Sequence, residues 1–186
     1  APKSIASVYC FLWRFPNAVN PQKLQRYPRA FARALRDMAI TAADLLLPAH
    51  GLPIACADRI QPVLTDVASA LEYLVQETHQ RMHEGAKLDD ILQEVHLDPS
   101  ILEKPYLRPT YDDTEFIIRN IWRLYGGWYD GNPARLKPAP DQVLAAELAS
   151  LAGGTLALAE RASTLMTRAL RLACHLVEVT EQSDPS

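Results

Sequence analysis

His50 is the histidine whose position best suits chemistry. It lies in Pro48-Ala49-His50-Gly51, just beyond the short apolar run 44–48, which is typical of a buried strand. In open α/β sheets, ligand and metal sites collect at the carboxyl ends of strands. An imidazole there can bind a metal ion or move a proton, but a lone histidine in a Gly-Pro loop is more often structural. The spacing alone leaves both roles open.

A second pair of imidazoles, those of His79 and His83, is four residues apart in a helical segment. This spacing places both rings on one helix face, as in some metal sites. No glutamate directly follows His79, and no third ligand is evident. A solvated helix face is therefore the preferred interpretation.

The segment 15–27 is dense in amide and cationic side chains after an apolar run. Such a loop suits recognition of an anion, and a surface loop with Asx turns is the alternative. Its candidate substrate-binding residues are Asn17, Asn20, Lys23, Arg26 and Tyr27.

Aromatic residues and glycines are concentrated in the segment 122–133, which includes Trp128. This segment could fill the core beside a turn or line a pocket for an apolar substrate tail. The acid pairs Asp89-Asp90 and Asp112-Asp113 are placed at predicted helix starts, where they favour the helix dipole without any catalytic role.

Composition excludes several classes of protein. With 48% apolar and 22% charged residues and a net charge of −3, the chain has no basic footprint for nucleic acid. No apolar run approaches the roughly 20 residues that cross a bilayer, so no membrane span is expected. The three cysteines are far apart, which favours a reducing compartment and buried thiols over a disulfide framework. The start, Ala1-Pro2-Lys3-Ser4, has the character of a cut or processed end.

The first fifty residues predict a β-α-β unit. The runs Val8–Trp13 and Asp44–Pro48 are typical of buried strands, and Pro28 can open the helix between them. Because two strands do not make a sheet with covered faces, the other strands of such a unit are expected upstream.

The remainder predicts helices. A long helix begins with Asp58 as its N-cap and ends near Gly85, and a short one spans 88–95 before a proline-rich link, 98–109. A further helix begins at Asp112, with Glu115 completing a capping box, and ends at Gly126-Gly127. Segment 143–151 follows, and after Gly153-Gly154 the segment 156–181 forms one helix or two. The fold class is therefore mostly α, with antiparallel helical hairpins in the manner of helical repeats.

Four motifs together resemble one family, the alkyl sulfatases of the metallo-β-lactamase fold with their helical dimerisation domain. These motifs, in order along the chain, are Phe15-Pro16-Asn17-x-x-Asn20-Pro21-Gln22-Lys23, Leu46-Leu47-Pro48-Ala49-His50-Gly51-Leu52-Pro53-Ile54, Trp122-Arg123-x-Tyr125-Gly126-Gly127-Trp128-Tyr129-Asp130-Gly131-Asn132-Pro133 and Leu151-Ala152-Gly153-Gly154.

The resemblance implies a β-α-β remnant of an αββα metallo-β-lactamase fold over 1–54 and a dimerisation domain over 55–186. It also implies a parent enzyme with two zinc ions, most of whose ligands come from an upstream H-x-H-x-D-H motif. His50 matches the last zinc ligand of the family. The metals would lower the pKa of a bound water and neutralise the sulfate of a small ester substrate.

The chain also departs from the family pattern. Family members often have Gly-His after the tyrosine that matches Tyr111, whereas this chain has Asp112-Asp113. Tyr111 is the remaining substrate-binding candidate. His83 is placed where members have asparagine. The first difference puts alkyl sulfate itself in doubt as the substrate.

Two functions compete at this point. One is the C-terminal part of a zinc-dependent sulfate-ester hydrolase that adjoins an upstream metallo-β-lactamase-like domain, and the other is a helical assembly module without an enzymatic parent. We expect this chain alone to be inactive, because one histidine cannot hold a catalytic zinc that takes three protein ligands.

We also expect a cytoplasmic location, or a periplasmic one if a signal peptide lies upstream. A symmetric homodimer is expected, built by the 58–84 helix and the helices around 106–133.

Overall fold

The computed structural model describes residues 3–7, 15–18 and 24–183. The chain divides into two compact units, Ala1–Asn132 and Pro133–Ser186. The fold is mostly helical with one small sheet, as the sequence predicts. The domain boundary between residues 54 and 55 stays a prediction.

The small sheet contains strands β1 (Ser4–Ser7), β2 (Leu45–Pro48) and β3 (Ile54–Ala55) in that order. Strands β1 and β2 are parallel and are joined through helix α1 (Pro28–Ile40), whereas β3 is antiparallel to β2. This confirms the crossover helix and the second predicted strand. The predicted strand Val8–Trp13 lies outside the described residues, and the strand that pairs with β2 comes directly before it.

Helix α2 (Ala57–His83) is the central element of the first unit. It packs against α1 on one side and against α5 (Thr114–Gly126) on another. The predicted N-cap, Asp58, is wrong by two residues: Cys56 occupies that position, and Asp58 lies in the first turn, where its charge favours the helix dipole.

The apolar stripe of α2 is satisfied within the chain. Leu71 and Leu74 are fully buried and Val75 is 4% exposed. The helices α1 and α5 cover these side chains, so they are not free to pair with a second chain. The predicted dimer interface of the 58–84 helix and the helices around 106–133 otherwise stays a prediction, because periodicity along α2 does not show how many neighbours the helix has.

Between α2 and α5 the chain is more ordered than a link. Helix α3 (Leu88–Glu94) is present as predicted, but the proline-rich segment contains helix α4 (Pro99–Leu102) and a 3₁₀ turn (Pro105–Leu107). Pro99 and Pro105 each occupy the first helical position, where a missing N–H costs nothing.

The start of α5 differs from the prediction by one residue. The N-cap is Asp113, whose carboxylate accepts a hydrogen bond from the Glu115 N–H at 3.0 Å. Asp112, the predicted cap, is instead buried at 1% exposure.

The 104–107 turn is fixed to α2 through one carboxylate. Asp66 Oδ2 accepts from Lys104 Nζ and from the Tyr106 hydroxyl, each at 2.7 Å. Burial, followed by the hydrogen bond to Asp66 and the charge of that carboxylate, raises the pKa of Tyr106 far above its usual value. The phenol therefore stays a donor over the physiological pH range.

The second unit contains a 3₁₀ turn (Pro133–Arg135) and helices α6 (Asp141–Ala152), α7 (Thr155–Leu165) and α8 (Leu170–Ser183). The segment 156–181 therefore forms two helices. Gly153 ends α6 with φ +92°, a left-handed conformation that glycine adopts without strain. Helix α8 packs against both α6 and α7.

The core of this second unit is small. Its buried side chains are mostly alanines, whereas most of its larger apolar side chains face outward. The exposed set is Leu136, Val143, Leu144, Leu148, Leu151, Leu156, Met166, Leu170, Leu172 and Val177. Exposed apolar side chains are thus concentrated on α6–α8.

The prediction of buried cysteines is wrong for two of them. Cys56 and Cys174 are both exposed and free, and Cys10 lies outside the described residues. Cys56 occupies the junction between β3 and α2 with φ +77°, so its position follows the turn and not a core pattern.

A helix that spans a bilayer must be both long enough and apolar enough to cross it. Within the described ranges, no single helix meets both requirements, and the one combination that does is α6 with α7, which are bent by 84° at their junction.

Candidate functional site

The site begins at one edge of the small sheet. Because β1 and β2 are parallel, their carboxyl ends share that edge, with Ser7 paired to Pro48. His50 follows Pro48 by two residues in an exposed bend. The described parts of the polar loop, residues 15–18 and 24–27, contact Arg108 and Asn120 of the helical region.

The described residues do not bring together enough possible metal ligands for a metal centre at His50. Across residues 3–7, 15–18 and 24–183, no three His, Cys, Asp or Glu side chains come close enough to hold a metal ion. A catalytic zinc ion takes three protein ligands and keeps one position for water. The residues present therefore do not fit a complete zinc site, and at most His50 could contribute one ligand to it.

Within the loop, Arg26 and Asn17 bind each other. The Arg26 guanidinium donates to Asn17 Oδ1 at 2.6 Å and also to the Asn17 carbonyl oxygen. This pairing closes the loop on itself and fixes the direction of both side chains. Asn20 and Lys23 lie outside the described residues.

Asn120, on α5, holds the end of the same loop. Its Nδ2 donates to the Arg26 carbonyl oxygen at 2.9 Å, and its Oδ1 accepts from Gln25 Nε2 at 2.6 Å. The Asn120 side chain is only 5% exposed. At the other end of the loop, the Phe15 N–H donates to the Arg108 carbonyl oxygen at 2.6 Å. We call the contacts of Asn120 with Gln25 and Arg26 the Asn120 clamp. A lone asparagine in a helix gave no sequence signal, because its partners are about 95 positions away.

Asn120→Ala is expected to destabilise the protein by about 1–2 kcal/mol, because the part-buried Arg26 carbonyl oxygen keeps only the Gln25 amide as a donor and that amide loses the Asn120 Oδ1 acceptor. Chemical denaturation measures this change in the free energy of unfolding. Gln61→Ala, an exposed position on α2, is the control and should change it by less than about 0.5 kcal/mol. Equal values for the two variants would contradict the clamp.

The three aromatic candidates are exposed at separate places. Tyr27 is 59% exposed directly before α1, and Tyr111 and Trp128 are 50% and 73% exposed before and after α5. A 13-residue helix rises about 20 Å, so Tyr111 and Trp128 flank α5 at opposite ends and do not form one wall. Their roles in substrate binding stay predictions.

The His79–His83 pair lies beside aromatic and cationic groups. The His79 ring stands edge-to-face on Tyr125 with 4.2 Å between centroids, and its Nδ1 is 3.4 Å from Arg29 Nη2. Burial, followed by the charges of Arg29 and His83, lowers the pKa of His79. His79 is therefore mostly neutral at pH 7.

Comparison with known proteins identifies the family of this chain. The family model described as alkyl sulfatase dimerisation matches residues 87–186. A linear primary-alkylsulfatase from Pseudomonas is 31% identical over 130 residues, which cover 69% of this chain and 25% of that protein. An (R)-specific secondary-alkylsulfatase from Pseudomonas is 33% identical over 98 residues, which cover 52% of this chain and 15% of that protein.

A solved structure shares the fold. The stereoselective inverting sec-alkylsulfatase Pisa1 from Pseudomonas superposes with a TM-score of 0.86 at 24% identity, over 98% of this chain and 30% of that one. The chain thus spans a quarter or less of the length of these two curated relatives. With the family model matching more than half of its residues, the chain belongs to the alkyl sulfatase dimerisation family.

Proposed function

We propose that this chain is the dimerisation part of a zinc-dependent sulfate-ester hydrolase that acts on small alkyl esters. The exposed apolar face of α6–α8, within the segment that the family model matches, is the observation that carries the proposal. Both curated relatives described above are alkylsulfatases by name.

The dimer contacts are assigned to the second unit. Leu144, Leu148 and Leu151 recur at steps of four and three along α6, so they form one stripe, and they are 52%, 40% and 77% exposed. A twofold interface would pair this stripe with its copy and remove it from water.

The active-site contribution is assigned to the sheet edge. His50 supplies one zinc ligand, and the remaining ligands belong to a metallo-β-lactamase-like domain upstream. When bound, the metal would supply a water of lowered pKa and neutralise the sulfate. The Asn120 clamp and the Asn17–Arg26 pair fix the polar loop, to which we assign binding of the ester's anionic group. The cellular location, cytoplasmic or periplasmic, remains a separate proposal.

The test uses the full-length protein that contains this chain. We expect release of inorganic sulfate from decyl sulfate, loss of that release on chelation, and a dimer by light scattering. A dimer that binds no zinc and releases no sulfate from primary or secondary alkyl sulfates would support the assembly module instead.

A further inference from the structure

A groove in the surface of the first unit has no assigned role in the proposed function. It consists of two adjoining recesses, of about 330 and 450 Å³, that share Arg29 and Val75. We call it the α1–α2–α5 groove, after the helices that line it.

The floor of the first recess is apolar and fixed, whereas the second recess is lined mainly by polar side chains. Val75 and Ile121 are 4% and 0% exposed, so both are held by the core beneath them. Leu124 and Tyr125, one turn further along α5, extend the apolar surface, and Tyr125 is braced by the His79 ring. A floor of this kind suits an alkyl chain, because it removes methylene groups from water.

The rim is cationic. Arg29 and Arg33 are both exposed on the first turns of α1 and line the first recess. Among the described residues, neither has a carboxylate within ion-pair distance, and the contact of Arg29 is with His79. The carboxylate that lines the second recess, Glu72, is held by Arg36 at 2.6 and 3.1 Å, so its charge is already compensated.

We propose that this groove binds a long-chain alkyl carboxylate. Its head group lies between Arg29 and Arg33, and its chain runs over Val75, Ile121 and Leu124. A guanidinium matches a carboxylate in planar, two-point geometry, and two uncompensated guanidiniums one helical turn apart favour an anionic head over a neutral or cationic one. The proposal does not depend on hydrolase activity, because a carboxylate offers no sulfate ester to cleave.

Calorimetric titration of the full-length protein with dodecanoate, below its micelle-forming concentration, tests the proposal. We expect dodecanoate to bind at least about tenfold more tightly than dodecanol or dodecylamine, since only the anion gains charge-assisted hydrogen bonds. Affinity should rise about three- to fourfold for each added methylene between octanoate and dodecanoate.

The double variant Arg29→Ala/Arg33→Ala should weaken dodecanoate binding at least tenfold. Its matched control is Arg59→Ala/Arg119→Ala, which removes two exposed arginines outside the groove and should leave the affinity unchanged. Unchanged binding in the first variant, equal weakening in both, or equal affinity for dodecylamine would overturn the proposal. Sulfate release, measured separately, reports on the proposed hydrolase and not on the groove.

Discussion

His50→Ala in the full-length protein is expected to lower bound zinc from two ions toward one per chain. Sulfate release should fall by more than about 100-fold, because losing even an indirect partner of a metal ligand typically costs 10- to 100-fold. The physical reason is position: His50 is exposed just beyond the carboxyl end of β2. Elemental analysis and a sulfate assay measure the two quantities.

His96→Ala is the matched control for this experiment. His96 is exposed just after α3, and its ring nitrogen lies 2.6 Å from the Gln93 carbonyl oxygen of that helix, so zinc content and activity should stay unchanged. Two zinc ions retained in the His50→Ala protein would remove the ligand assignment.

Leu148→Asp is expected to convert the dimer to a monomer. Leu148 is 40% exposed in the chain, so the substitution leaves the fold of the single chain largely intact. In a twofold interface each substitution occurs twice, and loss of the burial available to the two half-exposed leucines costs about 1–2.5 kcal/mol. The dimer dissociation constant should rise roughly 5- to 60-fold from this loss, and the desolvation of two carboxylates adds to it.

Light scattering over a dilution series measures this shift. The control is Ile40→Asp, which makes the same change at an apolar residue that is 81% exposed at the end of α1, outside the family match. If Ile40→Asp dissociates the dimer and Leu148→Asp does not, the interface is not on α6.

The helices were the most predictable part of the fold. Pro28 opens α1, a regular apolar period marks α2, and Gly153-Gly154 separates α6 from α7. These signals are local, so they survive without knowledge of the neighbours. The cap of α5 was misplaced by one residue because Asp112 and Asp113 are chemically alike, and only the tertiary structure decides which one is buried.

The distribution of apolar surface was less predictable. The stripe on α2 and the stripe on α6 look alike in sequence, yet Leu74 is fully buried and Leu151 is 77% exposed. The difference comes from partners that lie far along the chain. A periodic pattern identifies the apolar face of a helix but not what covers it.

Two members of the candidate site were predicted from local signals, His50 from its position after a strand and the polar loop from its composition. The functional roles of both stay predictions. The Asn120 clamp joins α5 to a loop about 95 positions away, and the groove beside Arg29 and Arg33 forms only where α1 meets α2 and α5, so local spacing did not reveal either.

The length and central position of α2 also bear on how the first unit opens and closes. At 27 residues it extends about 40 Å, and it touches both α1 and α5 as well as β2, β3 and α3. Its buried face packs against these neighbours, so amides on that face exchange with solvent only when the packed elements separate, whereas the two-residue strand β3 can fray locally. Helix α2 thus couples the opening of α1 and α5 to that of the small sheet.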